Sequence, residues 1–517
     1  MLRTQSITAG VASLLVVVAM LSVPAAASDT QVTGGIDGTP EWVVHVEAGS
    51  LDTLESWANS SDDRRVLHTH NASNTATIRA PASAVGAGTL DRLLGATLSE
   101  RSYVTALHPS YQHNYADPVR LENQSAIEAP SRTTRVFAGT SSPGSEWSPS
   151  GIAYAEDANR STLADVRDVT GADNVSATGG GQTIAVIDSG VNTANGRVFG
   201  NGTSGSQTRI LNASKDFISN ETVKADGLDA VEDSGTNHGT WVAAMAAANH
   251  SDSRFDGMAP DADILALRTL DSEGQGSTSD IATAVRYAAD NGADTIVMSL
   301  GSPVYDEELT SALEYAVKNN VSAIAIAAGN SRQTVRWVAS PADAPVDGVT
   351  TVAATNTTAN ATAGSAYFSQ IGPDPGTSDL SGGKTAGEDI SVAAPGMNVV
   401  AKVPTSSGSV VNSTKSGTSM AAPVVAGSAT AALSTNPSWA GDAAAFDATV
   451  TDSARPMPQA AQAEVGGGLF AADRLVDNET TGEQADAMTE EAEARSEFWT
   501  GVSETGQAIP GWGLVSG

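Results

Sequence analysis

The chain contains no cysteine. That excludes disulfides, thiolate nucleophiles and thioether lipid anchors. Lysine is scarce, with six residues in 517. Lys and Arg together number 27 against 59 Asp and Glu, a net charge of -32 with a pI near 4.3. A chain so short of positive charge is a poor partner for nucleic acid or an anionic membrane. Long apolar runs are also missing, apart from Val11 to Val23, and no internal repeat is visible.

The acidic side chains are spread along the whole chain. Their mutual repulsion is severe in dilute buffer and screened in concentrated salt. Together with the scarcity of lysine, this points to a protein adapted to high salt; the plainer alternative is a merely acidic secreted protein. The N-terminus has the layout of an export signal over residues 1–27. Arg3 supplies positive charge, the apolar run is short for a membrane span, and Pro24-Ala25-Ala26-Ala27 offers a small-residue cleavage site. The stretch holds no Arg-Arg pair, so twin-arginine export is not supported. The alternative is an uncleaved anchor. Taken as a signal, it predicts a secreted, extracellular protein without a stable membrane anchor.

Residues 28–110 read as a small α+β unit. Glu41 to Glu47 alternates like a half-buried strand, Ser50 to Ser60 has a helical pattern, Thr75 to Ala80 is strand-like and Thr89 to Leu98 is a candidate helix. Residues 111–150 are rich in Pro, Ser, Gly and Thr and read as a linker. From 151 to 477 the pattern changes. Continuously apolar strands (Thr183–Ile187, Asp263–Leu267, Asp294–Met298, Ser322–Ala327, Gly348–Ala353, Asp389–Ala393) alternate with helical runs (Thr240–Ala248, Ser279–Asn291, Glu307–Asn319, Ala421–Leu433). Strands apolar on both faces are buried parallel strands, so the fold class is α/β, a doubly wound and mostly parallel sheet. Residues 478–517 read as an acidic, disordered tail.

In such a sheet the site lies at the carboxyl ends of the strands. Asp188 ends the first strand, His238 opens a helical run, and Asn330 follows the strand ending Ala327-Ala328-Gly329. Ser419, in Ser416-Gly417-Thr418-Ser419-Met420-Ala421-Ala422-Pro423, stands where a loop runs into a helix. Pro423 is expected in that helix's first turn, where a missing N–H costs nothing. These residue types suit nucleophilic acyl transfer. A Ser hydroxyl needs a His to take its proton, the His needs a carboxylate, and the oxyanion needs donors such as the Asn330 amide and the Ser419 backbone N–H. Singly, each has a plain reading as a turn or cap residue; together they do not.

The blocks T-I-A-V-I-D-S-G, N-H-G-T-W-V-A, A-A-G-N-S and S-G-T-S-M-A-A-P resemble those of the subtilisin family of serine endopeptidases. The resemblance covers about residues 165 to 477, and 41 to 108 is similar to the family's inhibitory propeptide; the acidity suggests a haloarchaeal, halolysin-like member. It implies that Asp188 orients His238, that His238 is base and then acid, that Ser419 attacks, and that Asn330 stabilises the oxyanion. It also implies substrate strands at Ser299-Leu300-Gly301 and at Leu270 to Gly276, including Gly274 and Gly276, with Ala328 and Gly329 lining an open, apolar first pocket. The partners implied are protein and peptide substrates and the chain's own propeptide as an intramolecular inhibitor. No cofactor is required for the chemistry. Structural calcium is common in the family, but no ligand set matches clearly, and Asp226, Asp229, Glu232 and Asp233 read as a solvated acidic loop. Trp241, Asn237 and Val424 depart from the family pattern. A non-catalytic binding protein on the same fold is the rival reading, and it has no use for all four site residues.

The acidity yields a measurement. Screening length falls from about 10 Å at 0.1 M salt to about 3 Å at 1 M. Peptidase activity is expected to be high in molar salt and to fall in dilute buffer; a salt series with full activity in dilute buffer removes the high-salt reading.

Overall fold

The structure, a computed structural model, describes residues 39–85, 97–114, 152–153 and 160–477 apart from 193–197, 201–207, 234, 236, 304, 333–336, 358–362, 373–389, 406 and 436, together with some residues between 484 and 496. The expected export signal, most of the expected helix Thr89–Leu98 and residues 115–150 of the expected linker lie outside these.

The N-terminal unit contains β1 (Glu41–Val46), α1 (Leu51–Ala58), β2 (Arg65–His70), β3 (Thr75–Arg79), β4 (Val104–Pro109) and β5 (Gln112–Asn114). The first four strands form an antiparallel sheet in the order β2-β3-β1-β4. Side chains alternate across a strand. Trp42, Val44 and Val46 therefore share one face, where they pack with Leu51, Leu54 and Trp57 of α1. Val43 and His45 point the other way. That face is covered too, by the large domain, so β1 is buried along most of its length rather than on one side.

The large domain contains β6 (Thr183–Asp188), α2 (His238–Ala247), β7 (Asp263–Arg268), β8 (Gln275–Ser277), α3 (Thr278–Asp290), β9 (Thr295–Met298), α4 (Glu307–Lys318), β10 (Ala323–Ala327), β11 (Val349–Thr355), β12 (Val392–Pro395) and α5 (Thr418–Leu433). Its nine-stranded sheet has the central order β12-β11-β10-β9-β6-β7, with every one of these neighbours parallel. Alternation along β6 explains the apolar strands. Ile184 and Val186 join the core formed with α2 and α5, whereas Ala185 and Ile187 join the core formed with α3 and α4. Helices cover both faces, so the sheet is doubly wound as the pattern predicts.

Three expectations shift. β5 falls where the linker was expected to begin, and it pairs antiparallel with β8, placing His113 opposite Gly276. Three polar residues carry no apolar period, and their partner strand is supplied by the other domain. The acidic tail also begins later than 478. Gln484 is buried and its amide bonds Met457 and Ala460 of the large domain at 2.7–2.9 Å, while Ala492 is fully buried. Finally, α5 begins at Thr418, so Pro423 lies in the second turn rather than the first.

Every residue of α2 and of α5 is buried. Both helices are apolar all round, as wholly enclosed helices are. They touch where Gly427 meets Ala246: a Cβ on Gly427 would lie 2.7 Å from the Ala246 carbonyl oxygen and 2.8 Å from Met258 Cβ. Alanine at this position gains about 0.5–1 kcal/mol of helix propensity. Overpacking against backbone costs about 1–3 kcal/mol and wins. Gly427→Ala is expected to lower the denaturation midpoint, measured in a Ser419→Ala background to prevent self-digestion.

Candidate active site

The ends of three neighbouring parallel strands bring the site together. β6 ends at Asp188, β9 runs into Ser299, and β10 runs through Ala328 and Gly329 into Asn330. Register keeps these ends level, with Met298 opposite Ile187 and with Ile326.

Asp188 and His238 are 1% and 2% exposed, and His238 Nδ1 lies 2.8 Å from Asp188 Oδ1. A carboxylate only accepts, so Nδ1 carries the proton and the neutral ring keeps Nε2 as an acceptor. Asp188 Oδ1 also accepts the Ser189 N–H at 2.7 Å. Close packing holds the pair in place. A Cβ on Gly239 would meet the Gly190 carbonyl oxygen at 2.4 Å and Asp188 Oδ1 at 3.1 Å, and the Gly239 N–H donates to Ser189 Oγ. Asn237, just before the helix, has φ of 56°. That left-handed backbone suits Gly or Asn, so this departure from the family pattern keeps the local geometry.

On α5, Thr418 grips Asn330. The Thr418 N–H and Oγ1–H donate to Asn330 Oδ1 at 2.8 and 2.9 Å, and the Gly329 N–H donates to Thr418 Oγ1 at 3.1 Å. With Oδ1 so engaged, the amide turns its Nδ2 toward the start of the helix, where a Cβ on Gly417 would lie 3.3 Å away. Pro423 has a local effect here. It cannot supply the N–H that an α-helix would direct to the Ser419 carbonyl. Ser299 Oγ donates to that carbonyl instead, at 3.1 Å, and Ser419 Oγ reaches the Ser299 carbonyl at 3.4 Å.

Asp233 belongs to this site, which corrects its reading as part of a solvated loop. It is buried, and its carboxylate accepts the N–H groups of Asn237 and Thr240 and the Thr240 hydroxyl at 3.0–3.2 Å, capping the helix that starts at His238. Burial, with the charge of Asp188, outweighs those bonds and raises its pKa. Its neighbours Asp226 and Asp229 are exposed, as expected of the loop. The signal available in the sequence was an Asp five residues before a His at a helix start.

The substrate-side expectations fare unevenly. The backbone of Gly276 is already paired with His113 of β5, so that strand edge is in use by the chain itself. Gly274 turns the chain just before it with φ of 79°. Ser299 and Leu300 are buried, and Gly301 stands close to the Ser340 carbonyl. Ala328 does not line an open pocket, because its side chain is fully buried in the core shared with α3 and α4. Gly329 faces Gln370, whose Oε1 would lie 1.9 Å from an added Cβ; a polar side chain therefore stands where an apolar wall was expected. Trp241 and Val424 are fully buried packing residues.

One trio among the described residues, His45, His108 and Glu308, brings possible metal-ligating atoms within 4.8 Å of one another. Arg286 Nη2 lies 2.6 Å from Glu308 Oε1, so a guanidinium already supplies the positive charge there. The trio is an ion-paired contact rather than a ligand set.

The profile of the Subtilase family, Peptidase_S8, matches residues 179–484. The chain is 33% identical to thermitase of Thermoactinomyces vulgaris over 252 residues, which cover 48% of this chain and 74% of thermitase. It is 32% identical to subtilisin BL of Lederbergia lenta over 268 residues, covering 52% of this chain and 82% of that protein. Fervidolysin from Fervidobacterium pennivorans, described as a keratinolytic enzyme related to subtilisin, superposes with a TM-score of 0.59 at 19% identity, over 85% of this chain and 61% of its own. At that identity the likeness is one of fold.

Removing the Asp233 carboxylate leaves buried donors without acceptors, at about 1–3 kcal/mol. Asp233→Ala is expected to lower both stability and turnover, and Asp233→Asn, which keeps one acceptor oxygen, to lower them less. Because the folded-state pKa of Asp233 is raised, its contribution is full below the ordinary carboxylate value, about 3.9, and lost as pH rises through the raised value. Asp233→Asn should flatten that part of a stability profile measured from acid to neutral pH.

Proposed function

The chain belongs to the subtilase family and is a serine endopeptidase acting on proteins, and on that premise we propose that Asp188, His238, Ser419 and Asn330 carry out its chemistry. The observation that supports this most is the buried His238–Asp188 bond at 2.8 Å, at the strand rim where Asn330 is locked to the residue before Ser419.

Ser419 Oγ attacks the scissile carbonyl carbon as His238 Nε2 takes its proton. Asp188 holds the ring's tautomer through Nδ1 and stabilises the imidazolium that forms. The carbonyl oxygen becomes an oxyanion, met by Asn330 Nδ2 and the Ser419 backbone N–H at the start of α5, where the helix dipole also favours negative charge. His238 then gives its proton to the leaving amine, and an acyl-enzyme remains. Water, deprotonated by His238, attacks the ester; the acid leaves and Ser419 recovers its proton. These steps call on no cofactor.

The N-terminal unit is proposed as an inhibitory propeptide. β5 lies along β8, an edge a substrate strand would use, and strand addition of this kind recognises backbone rather than side chains. Self-cleavage between 115 and 150 would free the site, and export would place the enzyme outside the cell in a salty medium.

Ser419→Ala is expected to give a folded, full-length precursor with no peptidase activity; normal processing by that purified variant alone refutes self-cleavage. Asn330→Ala should lower turnover about a hundred- to thousandfold, the general cost of losing one oxyanion donor, with KM little changed.

A further inference from the structure

The chain has seven histidines, and five of them lie between residues 41 and 114. That same stretch has no lysine. Alternation places His45 on β1, His68 and His70 on β2, and His108 on β4 against the large domain; His113 lies on β5. Each of the five meets a carboxylate of the large domain, all of them on or beside α3 and α4.

His45 Nε2 bonds Glu308, on whose other oxygen Arg286 sits at 2.6 Å, and the ring of His108 stands 5.6 Å away, edge to face. His68 Nε2 lies 3.2 Å from Asp280. His70 Nε2 lies 2.7 Å from Asp290, which also accepts the Tyr315 hydroxyl, while its Nδ1 meets Ser73 Oγ. His108 Nδ1 lies 3.5 Å from Glu307. His113, fully buried, lies 3.0 Å from Asp306 and 3.2 Å from Thr278 Oγ1. Asp306 in turn caps α4 through the Glu308 and Leu309 N–H groups.

We infer that this contact is a pH-dependent clasp: protonated histidines of the N-terminal unit hold it on the acidic face of α3 and α4, and their deprotonation loosens it. The large domain offers five carboxylates here and one guanidinium, Arg286. Positive charge from the N-terminal unit to these five carboxylates comes from imidazole, the one side chain whose ordinary titration falls between about pH 5 and 8.

The sign follows from linkage. A proton on a ring facing a carboxylate is bound more tightly docked than undocked, so docking weakens as pH rises past the imidazole range, about 6.5. The carboxylates set the other limit. Burial pushes Asp306 up, but the bond and charge of His113 outweigh it and hold that carboxyl low. Burial likewise pushes Glu308 up, and Arg286 followed by His45 outweigh it. Their share is lost only as pH falls through those depressed values. The two like-charged rings His45 and His108, with Arg286, oppose full protonation of that corner, so His113, His68 and His70 carry the larger part.

The test reads docking rather than inhibition, so it stands apart from the proposed role of the N-terminal unit. Backbone hydrogen exchange is measured on the full Ser419→Ala chain at about pH 5.5 and about pH 8, at constant ionic strength and corrected for intrinsic rates. Protection of β5, β8 and the first turn of α4 is expected to fall about tenfold or more at the higher pH, while α5 stays protected. The variant His45→Gln, His68→Gln, His70→Gln and His108→Gln, which spares the buried His113, should lose most of that pH response. A second variant, Asp280→Asn with Asp290→Asn and Glu307→Gln, should lose much of it from the other side. Equal protection of β8 at both pH values in the parent chain, or a full response in both variants, overturns the inference.

Discussion

The contact on which the site depends is the approach of α5 to α2 at Gly427 and Ala246. Ser419 and His238 stand in the opening turns of these two helices, each eight residues from the point of contact. A glycine there lets backbone meet backbone, and the alanines around it keep the two axes near each other. Side chains of ordinary size would part the helices and carry Ser419 and His238 away from each other. Small residues in both sequences thus serve the chemistry through distance, without touching the reacting atoms.

Around that contact, each polar group at the site has a partner that fixes its direction. Ser189 holds the backbone of Gly239, Asp233 holds the first turn of α2, Thr418 holds Asn330, and Ser299 replaces the donor that Pro423 lacks. Such preorganisation lets the donors face a developing charge without first turning toward it. Asp233 illustrates the cost: its carboxylate is kept in a setting that disfavours its charge, because the helix it caps would otherwise end in unpaired donors.

Much of this was legible in the sequence. The strand and helix order followed from apolar runs bounded by turns, and the positions of Asp188, His238, Asn330 and Ser419 followed from where strand ends must lie. What escaped had no local signature. β5 is a strand only because β8 lies beside it. Asp233 resembles any loop carboxylate until the fold encloses it. Gln484 looks like part of a charged tail until its amide meets Met457. Ala328 was assigned to a pocket because small residues fit both a pocket and a sheet, and packing chose the sheet. The crowding of histidine between 41 and 114 was visible throughout, but its meaning rests on carboxylates some two hundred residues away.

The pairing of β5 with β8 also bears on how the enzyme becomes committed. While the chain is whole, that strand is tethered beside its own edge, at an effective concentration in the millimolar range or higher for a short connection. Once the connection is severed, the same strand is an ordinary ligand and obeys dilution. In a confined volume it would return; released into a large one it would not. Geometry that costs nothing inside one molecule thus becomes a measure of how much space surrounds it.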